Sequence, residues 1–285
     1  MTRPAHLARH RRRLRLLAAA LALAASGATH AIPAAVPVAW YPLDGDAADA
    51  SGNGLDGTIH GSVTATAGHD GTPWAALAFD AGGYIDLGSP SALQITGPLT
   101  LSVWIRFEVG GSWNPRILSY NDHHGYTLFT WGTGTARTLS FDYGGVGGSP
   151  ARVSTPDPLE AGRWYHIAAV GDPADGARLY VDGMLVASNP LAVVPEFAGS
   201  ANIGRKSSWA WDWWRGAIDD LAIYDVALDA EAVRRLAADG PATASVPEPA
   251  SLALLVTGAL IAAAGRRRAR PRRPGGAGTA PTSGR

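Results

Sequence analysis

The sequence predicts an all-β fold, a two-sheet antiparallel jelly-roll sandwich closed by one short C-terminal helix. Three observations carry that prediction. Apolar and polar residues alternate, as in "LTLSVWIRFE", where Leu99, Leu101, Val103 and Ile105 fall on one face. Similar short runs recur along the chain, separated by breaks rich in Gly, Pro and Asp. Finally, "YVDGML" sets Asp182-Gly183 between two apolar runs, and that pair supplies the positive φ angles of a two-residue hairpin turn.

In chain order the strand-like runs are "VAWYPL", "AALAF", "YIDL", "LTLSVWIRFE", "RILSY", "YTLFTW", "RTLSFDY", "WYHIAAV", "ARLYVDGMLVA", "ANIG" and "GAIDDLAIY". Their number and spacing fit a sandwich. The helix is read from "LDAEAVRRLAADG": Asp229 caps its start, Gly240 follows its end, and Ala232, Val233 and Leu236 make one apolar stripe. No internal repeat or long linker divides residues 36–240, so they form one domain. There is no Cys, which excludes thiolate and redox chemistry, and a domain of roughly 200 residues buries enough core without disulfides.

The two ends are set apart from the fold. Residues 1–31 read as a secretory signal peptide: a basic "MTRPAHLARHRRRLR", an apolar "LLAAALALAASGA", and small residues near Ala31 for signal peptidase. Residues 241–249 are a linker that ends in Val246, Pro247, Glu248 and Pro249. Residues 250–265 are a transmembrane helix, and 266–285 a basic tail that reads as disordered. The apolar run Ala250 to Ala264 reaches about 22 Å as a helix, short of the ~30 Å hydrocarbon core. Arg266, Arg267 and Arg268 hold its far end on the cytoplasmic side. This order of motif, short span and Arg cluster resembles the PEP-CTERM sorting signal of Gram-negative bacteria. The resemblance implies processing near the motif by exosortase, a membrane transpeptidase, in strains that make exopolysaccharide. It places the protein beyond the inner membrane, at the envelope or outside it, after transient anchoring by the C-terminal helix.

The formal net charge of zero hides an asymmetry. Thirteen of the 24 Lys and Arg residues lie in the two ends, which leaves 11 against all 24 Asp and Glu in the body, a net −13. Such a body repels nucleic acid and anionic lipid, and suits polyvalent cations and neutral or cationic polymers.

Within the domain, "YPLDGDAADASGNGLDGTIHG", "ALAFDAGGYIDLG", "LTLSVWIRF", "GRWYHIAAVGD", "ARLYVDGMLV", "IGR" and "WRGAIDDLAIYDVALDAEAV" occur in this order. The set resembles the LamG-like jelly roll of the concanavalin A-like lectin/glucanase superfamily. That resemblance covers nearly the whole domain. It implies two stacked antiparallel sheets and a function in carbohydrate or protein binding and adhesion.

The first loop, "LDGDAADASGNGLDG", holds Asp44, Asp46, Asp49, Asn53 and Asp56. Crowded carboxylates either cap turns of a Gly-rich loop or hold a cation. The spacing is not that of an EF-hand. LamG-like relatives often bind Ca²⁺ between this loop and the Asp of the "IDD" strand. Carried over, that implies Asp49, Asn53 and Asp219 as ligands of a structural Ca²⁺, with Asp44 beside them. Strand alternation sends Asp219 and Asp220 to opposite faces, so only one reaches inward. "SYNDHHGY" reads as a solvent-facing loop or as a ligand-contacting one through His123.

The segment "SWAWDWWRGAIDD" concentrates Trp209, Trp211, Trp213 and Trp214 among 10 Trp in all. Extended backbone puts the first three on one face and Trp214 on the other. Trp214 aligns with an inward-packing aromatic of the relatives and is assigned to the core, as are Trp104 and Trp164 in apolar strands. Trp209, Trp211 and Trp213, joined by Trp113 in "GGSWNP" and Trp131 in "FTWGTG", make either a sugar-stacking platform or a zipper against a neighbouring loop. No G-x-S-x-G elbow exists, and Glu108, Glu160, Glu196 and Glu231 form no paired-carboxylate run. The expectation is a secreted, non-enzymatic module that binds glycan or a matrix polymer. A protein-binding adhesion or scaffold module is the alternative, and a glycoside hydrolase on this fold the less favoured one.

Overall fold

The computed structural model describes residues 35–241, apart from 81, 123, 146–148 and 209–210. The signal peptide read at 1–31, the sorting motif, the apolar segment at 250–265, His123 and Trp209 lie outside the described residues. Among the described residues no helix is long and apolar enough to cross a membrane.

The chain begins with β1 (Ala39–Tyr41), β2 (Thr58–His60), β3 (Val63–Thr66), β4 (Ala76–Phe79) and β5 (Tyr84–Gly88). Next come β6 (Leu99–Phe107), β7 (Arg116–Tyr120), β8 (Tyr126–Trp131), β9 (Ala136–Tyr143), β10 (Ala151–Ser154) and β11 (Leu159–Glu160). It ends with β12 (Tyr165–Asp172), β13 (Gly176–Val181), β14 (Met184–Asn189), β15 (Ala201–Ile203), β16 (Gly216–Tyr224) and α1 (Ala230–Asp239). Two antiparallel sheets form the sandwich. Sheet I runs β14-β13-β12-β6-β16-β4-β3, with β1 also on β16; sheet II runs β10-β9-β8-β7-β15-β5-β2, with β11 beside β9.

Alternation explains the core between them. Leu99, Leu101, Val103, Ile105 and Phe107 of β6 point inward and are buried with Leu118, Leu128, Leu139, Phe141 and Ile218. Each such side chain contributes about 1.5–3 kcal/mol by leaving water. The Asp182-Gly183 turn takes φ of 49° and 77° and joins Val181 to Met184. Asp229 Oδ1 accepts the Ala232 N–H at 2.8 Å, and Gly240 closes α1 by donating to the Leu236 carbonyl. Val233 and Leu236 then lie on Ala168, Val170, Ala222 and Tyr224, covering part of the outer face of sheet I.

Two expectations need correction. Trp104 and Trp164 are not core: Trp104 alternates away from Leu101, Val103 and Ile105 and stacks on His69 at 4.2 Å, while Trp164 is half-buried under the Arg106 guanidinium. The strict alternation assumed for "IDD" also fails. Asp219 faces Trp104 and Ala222 faces Ser102, so β16 spends one residue more than β6 between the two pairs. This β-bulge puts Asp220 at φ 48° and turns both carboxylates to the outer face.

Candidate functional site

Three loops are tied together on the outer side of sheet II: 109–115, which leads into β7, 121–125, which follows it, and the segment after β15, which meets the first at Asp212 and Trp213 and the second through Lys206 and Ser207. The third begins at Gly204, whose φ of 86° and closeness to Phe79 (a Cβ would lie 2.7 Å from its ring) leave room for no side chain. Lys206 N–H donates to the Trp211 carbonyl and Trp214 N–H to the Gly204 carbonyl, closing the segment as a tight loop. Trp213 N–H donates to Ser112 Oγ at 3.0 Å, and Arg116 N–H to the Asp212 carbonyl at 2.9 Å, which ties it to the first loop of the group. Gly132 N–H donates to the Trp113 carbonyl at 2.7 Å.

Arg116 is the hub of these loops, with its side chain 1% exposed. Its Nη2 meets Asp122 Oδ1 at 2.9 Å, its Nη1 donates to the Asn114 carbonyl at 2.7 Å, and Nη1 lies 3.8 Å from Asp212 Oδ2. Lys206 Nζ takes the other Asp122 oxygen at 2.8 Å. Asn121, Asp122 and Asp212 all occupy the left-handed region, φ 54°, 48° and 57°, which Asn and Asp tolerate best among non-glycine residues. The guanidinium of Arg116 lies 4.7 Å from the Phe129 ring, and Arg152, paired at 2.6 Å with buried Asp142, covers Phe129 and Trp131 from beside it. Arg116 and Asp122 thus hold the loops rather than face water.

The indoles divide by exposure. Trp113 is 65% and Trp211 69% exposed. Trp213 is half-buried beside Tyr84 and the Arg205 guanidinium; Trp131 is half-buried and donates its Nε1–H to Ser140 Oγ at 3.1 Å. Trp214 is fully buried, as expected. A cleft of about 360 Å³ opens beside Trp213, lined also by Ser112, Arg215 and Asp80.

The acidic first loop does a different job. Asp49 accepts the Trp40, Ser51 and Leu55 N–H groups and the Ser51 hydroxyl; burial opposes its ionisation, but these donors hold its carboxyl below the usual range. Asn53 gives its amide to the Val38 carbonyl, and Asp46 caps Ala48. Asp49 and Asn53 therefore fasten the loop to itself and to β1. The groups that converge among the described residues are His69, Asp219 and Asp220, with ligand atoms within 4.8 Å of one another. His69 meets Asp219 Oδ2 through both its backbone N–H, at 2.9 Å, and its Nδ1, at 2.7 Å. Burial, then the neighbouring Asp219 charge, pushes the Asp220 carboxyl up to about 6; burial raises Asp219 as well, and Asp44 adds to both. A carboxylate pair of buried Asp219 and half-buried Asp220, converging with His69, fits a hard divalent cation, for which the two Asp supply oxygen, while Asp44 acts on both through its charge. Asp49 and Asn53 do not fit that set.

Sequence reasoning missed Arg116, His69 and Arg205. Arg116 opens an apolar strand and gives no signal of its partners; His69 is a lone His in a Gly-rich turn. Trp209 and His123 lie outside the described residues.

A family model described as the concanavalin A-like lectin/glucanases superfamily matches residues 79–234, and one for the PEP-CTERM protein-sorting motif matches residues 245–268. Domain 4 of AbnA, a GH43 extracellular arabinanase from Geobacillus stearothermophilus solved with arabinotriose, superposes with a TM-score of 0.55 at 22% identity, over 71% of this chain and 98% of its own. The binding domain of botulinum neurotoxin DC in complex with SialylT gives 0.55 at 12% identity, over 72% of this chain and 51% of its own. The binding domain of botulinum neurotoxin serotype D/C VPI 5993 gives 0.52 at 12%, over 71% and 52%. The chain thus spans about half the length of the toxin domains, and at these identities the likeness shows the fold alone. The comparison with curated proteins finds no match.

Proposed function

Because the chain belongs to the concanavalin A-like lectin/glucanases superfamily and carries a PEP-CTERM protein-sorting motif, we propose that it is a surface-sorted glycan-binding module of an extracellular matrix, processed by exosortase. The observation that carries this reading is the pair of exposed indoles, Trp113 and Trp211, on loops locked by the Arg116 network. Indole faces stack on the C–H faces of sugars, and their N–H groups donate to hydroxyls. A rigid platform loses little conformational entropy on binding. The similar domains solved with arabinotriose and with SialylT support the same class of ligand. The module acts by binding, without cleavage. Calcium belongs to the proposal as a structural ion at Asp219 and Asp220 with Asp44, where it would neutralise the carboxylate pair and pin the β16 bulge to the first loop.

Affinity electrophoresis of the exported protein through a panel of soluble polysaccharides tests the reading. Retardation by at least one polysaccharide, with no reducing ends released, is expected. Unretarded migration through all of them overturns the glycan assignment, and release of reducing ends overturns the non-enzymatic one.

A further inference from the structure

Arg205 stands apart from the other cations of this rim. Arg116 and Lys206 are taken by Asp122, Arg152 by Asp142, and Arg215 lies 3.6 Å from Asp80. The Arg205 guanidinium instead lies 3.7 Å from the centroid of the Tyr84 ring, with Trp213 at 6.0 Å. His60 backs Tyr84 in turn, stacked at 4.7 Å and 14°. Arg205 Nε donates to Asn202 Oδ1 at 3.2 Å, which fixes the plane of the guanidinium. The two terminal nitrogens make no ion pair with a carboxylate among the described residues. Asp86, on the strand beside Asn202, is engaged by the Gly88 N–H. Arg205 and Trp211 belong to one closed loop, two residues of which, Lys206 and Trp211, are bonded through their backbones.

We propose that Arg205 is the specificity-determining residue of this site and selects an anionic glycan, one bearing carboxylate or sulfate groups on its sugars. The inference rests on the glycan-binding reading of the same rim. A guanidinium held against the Tyr84 face, with Trp213 beside it and Asn202 on its Nε, keeps its terminal fork pre-organised, and the fork matches the two oxygens of a carboxylate or sulfate. Stacking on Trp211 positions the sugar; the free end of Arg205 reads its charge. The net −13 of the body does not forbid this, because its distant charges are screened beyond roughly 8 Å at physiological salt while the contact itself is local.

The test uses polygalacturonate, dextran and dextran sulfate as probes on the purified exported protein, comparing wild type with Arg205→Gln, Arg205→Lys and Arg178→Gln. Arg178→Gln removes the same charge from β13, far from the loop in sequence. Expected are tighter binding of at least one anionic polymer than of dextran, a loss of about tenfold or more in Arg205→Gln, a partial loss in Arg205→Lys, and none in Arg178→Gln. Polygalacturonate alone or dextran sulfate alone identifies the charged group as carboxylate or sulfate. Binding of dextran as tight as that of both anionic polymers overturns the inference and leaves the glycan reading standing. Equal losses in Arg205→Gln and Arg178→Gln, or no loss in either, overturn it too. A folded protein that binds no polysaccharide overturns both.

Discussion

The two outer faces of the sandwich handle polar side chains in opposite ways. On sheet I the chain covers them itself. Helix α1 lies over Ala168, Val170 and Tyr224, and beside it Trp104 is wedged between His69 and His166. His166 is buried, hydrogen-bonded at 2.9 Å to Ser102, and its Nδ1 has no partner among the described residues. On sheet II charges pair with one another and so fix loops whose indoles remain in water. Burial on the first face hides these groups beneath the chain. On the second, the same degree of burial, at Arg116 and Asp142, makes a mount for an open surface.

The comparison breaks most visibly at Arg116. Arg116→Ala leaves Asp122 without its guanidinium and should cost about 3–5 kcal/mol. In a domain of this size that lowers the melting temperature by roughly 10 °C, at about 2–4 °C per kcal/mol. Leu236→Ala, on the other face, costs a comparable or smaller amount, about 2–4 kcal/mol, through the space left under α1. Polysaccharide retardation separates the two. At a temperature where both variants are folded, Arg116→Ala loses binding and Leu236→Ala keeps it; equal losses would erase the distinction between the faces.

A smaller effect comes from pH, read by melting temperature between pH 7 and pH 5. Folding pushes Asp220 up to about 6 from an ordinary 3.8, so the folded state holds this proton more tightly and acidification through that window stabilises. Burial, with the His69 charge adding to it, takes His166 down to about 4 from 6.5. The unfolded chain therefore gains that proton first, and acidification from 6.5 towards 4 destabilises. The two oppose each other in the wild type. Asp220→Asn should sharpen the loss at pH 5, and His166→Gln should blunt it. Calcium at pH 7 should raise the melting temperature of the wild type and not of Asp220→Asn. If both variants track the wild type, the sheet I cluster does not titrate as its burial implies.

Much of the frame was legible because its signals are local. Alternation marked the core strands, Asp182-Gly183 the hairpin, and Asp229 with Gly240 the ends of α1. The short strands β2, β3, β10 and β11 were not read. The first three lie at sheet edges, where Thr58, Ile59 and His60, for example, are all exposed and carry no alternation. The outward placement of Trp104 was in the sequence, since it alternates out of phase with Leu101, Val103 and Ile105. A bulge is one inserted residue, and nothing in "GAIDDLAIY" announces which residue is extra. At the site, the exposed Trp113 and Trp211 were named from composition and context. The residues that hold them were not, because Arg116 finds Asp122 and Asp212 through the fold rather than through spacing along the chain.

The central claim is that the open rim of sheet II binds sugar through its exposed indoles. It is tested most directly by isothermal titration of a retarding polysaccharide into wild type and a Trp113→Ala/Trp211→Ala variant of equal melting temperature. Loss of binding by at least tenfold in the variant is the predicted result. An unchanged dissociation constant would contradict the account.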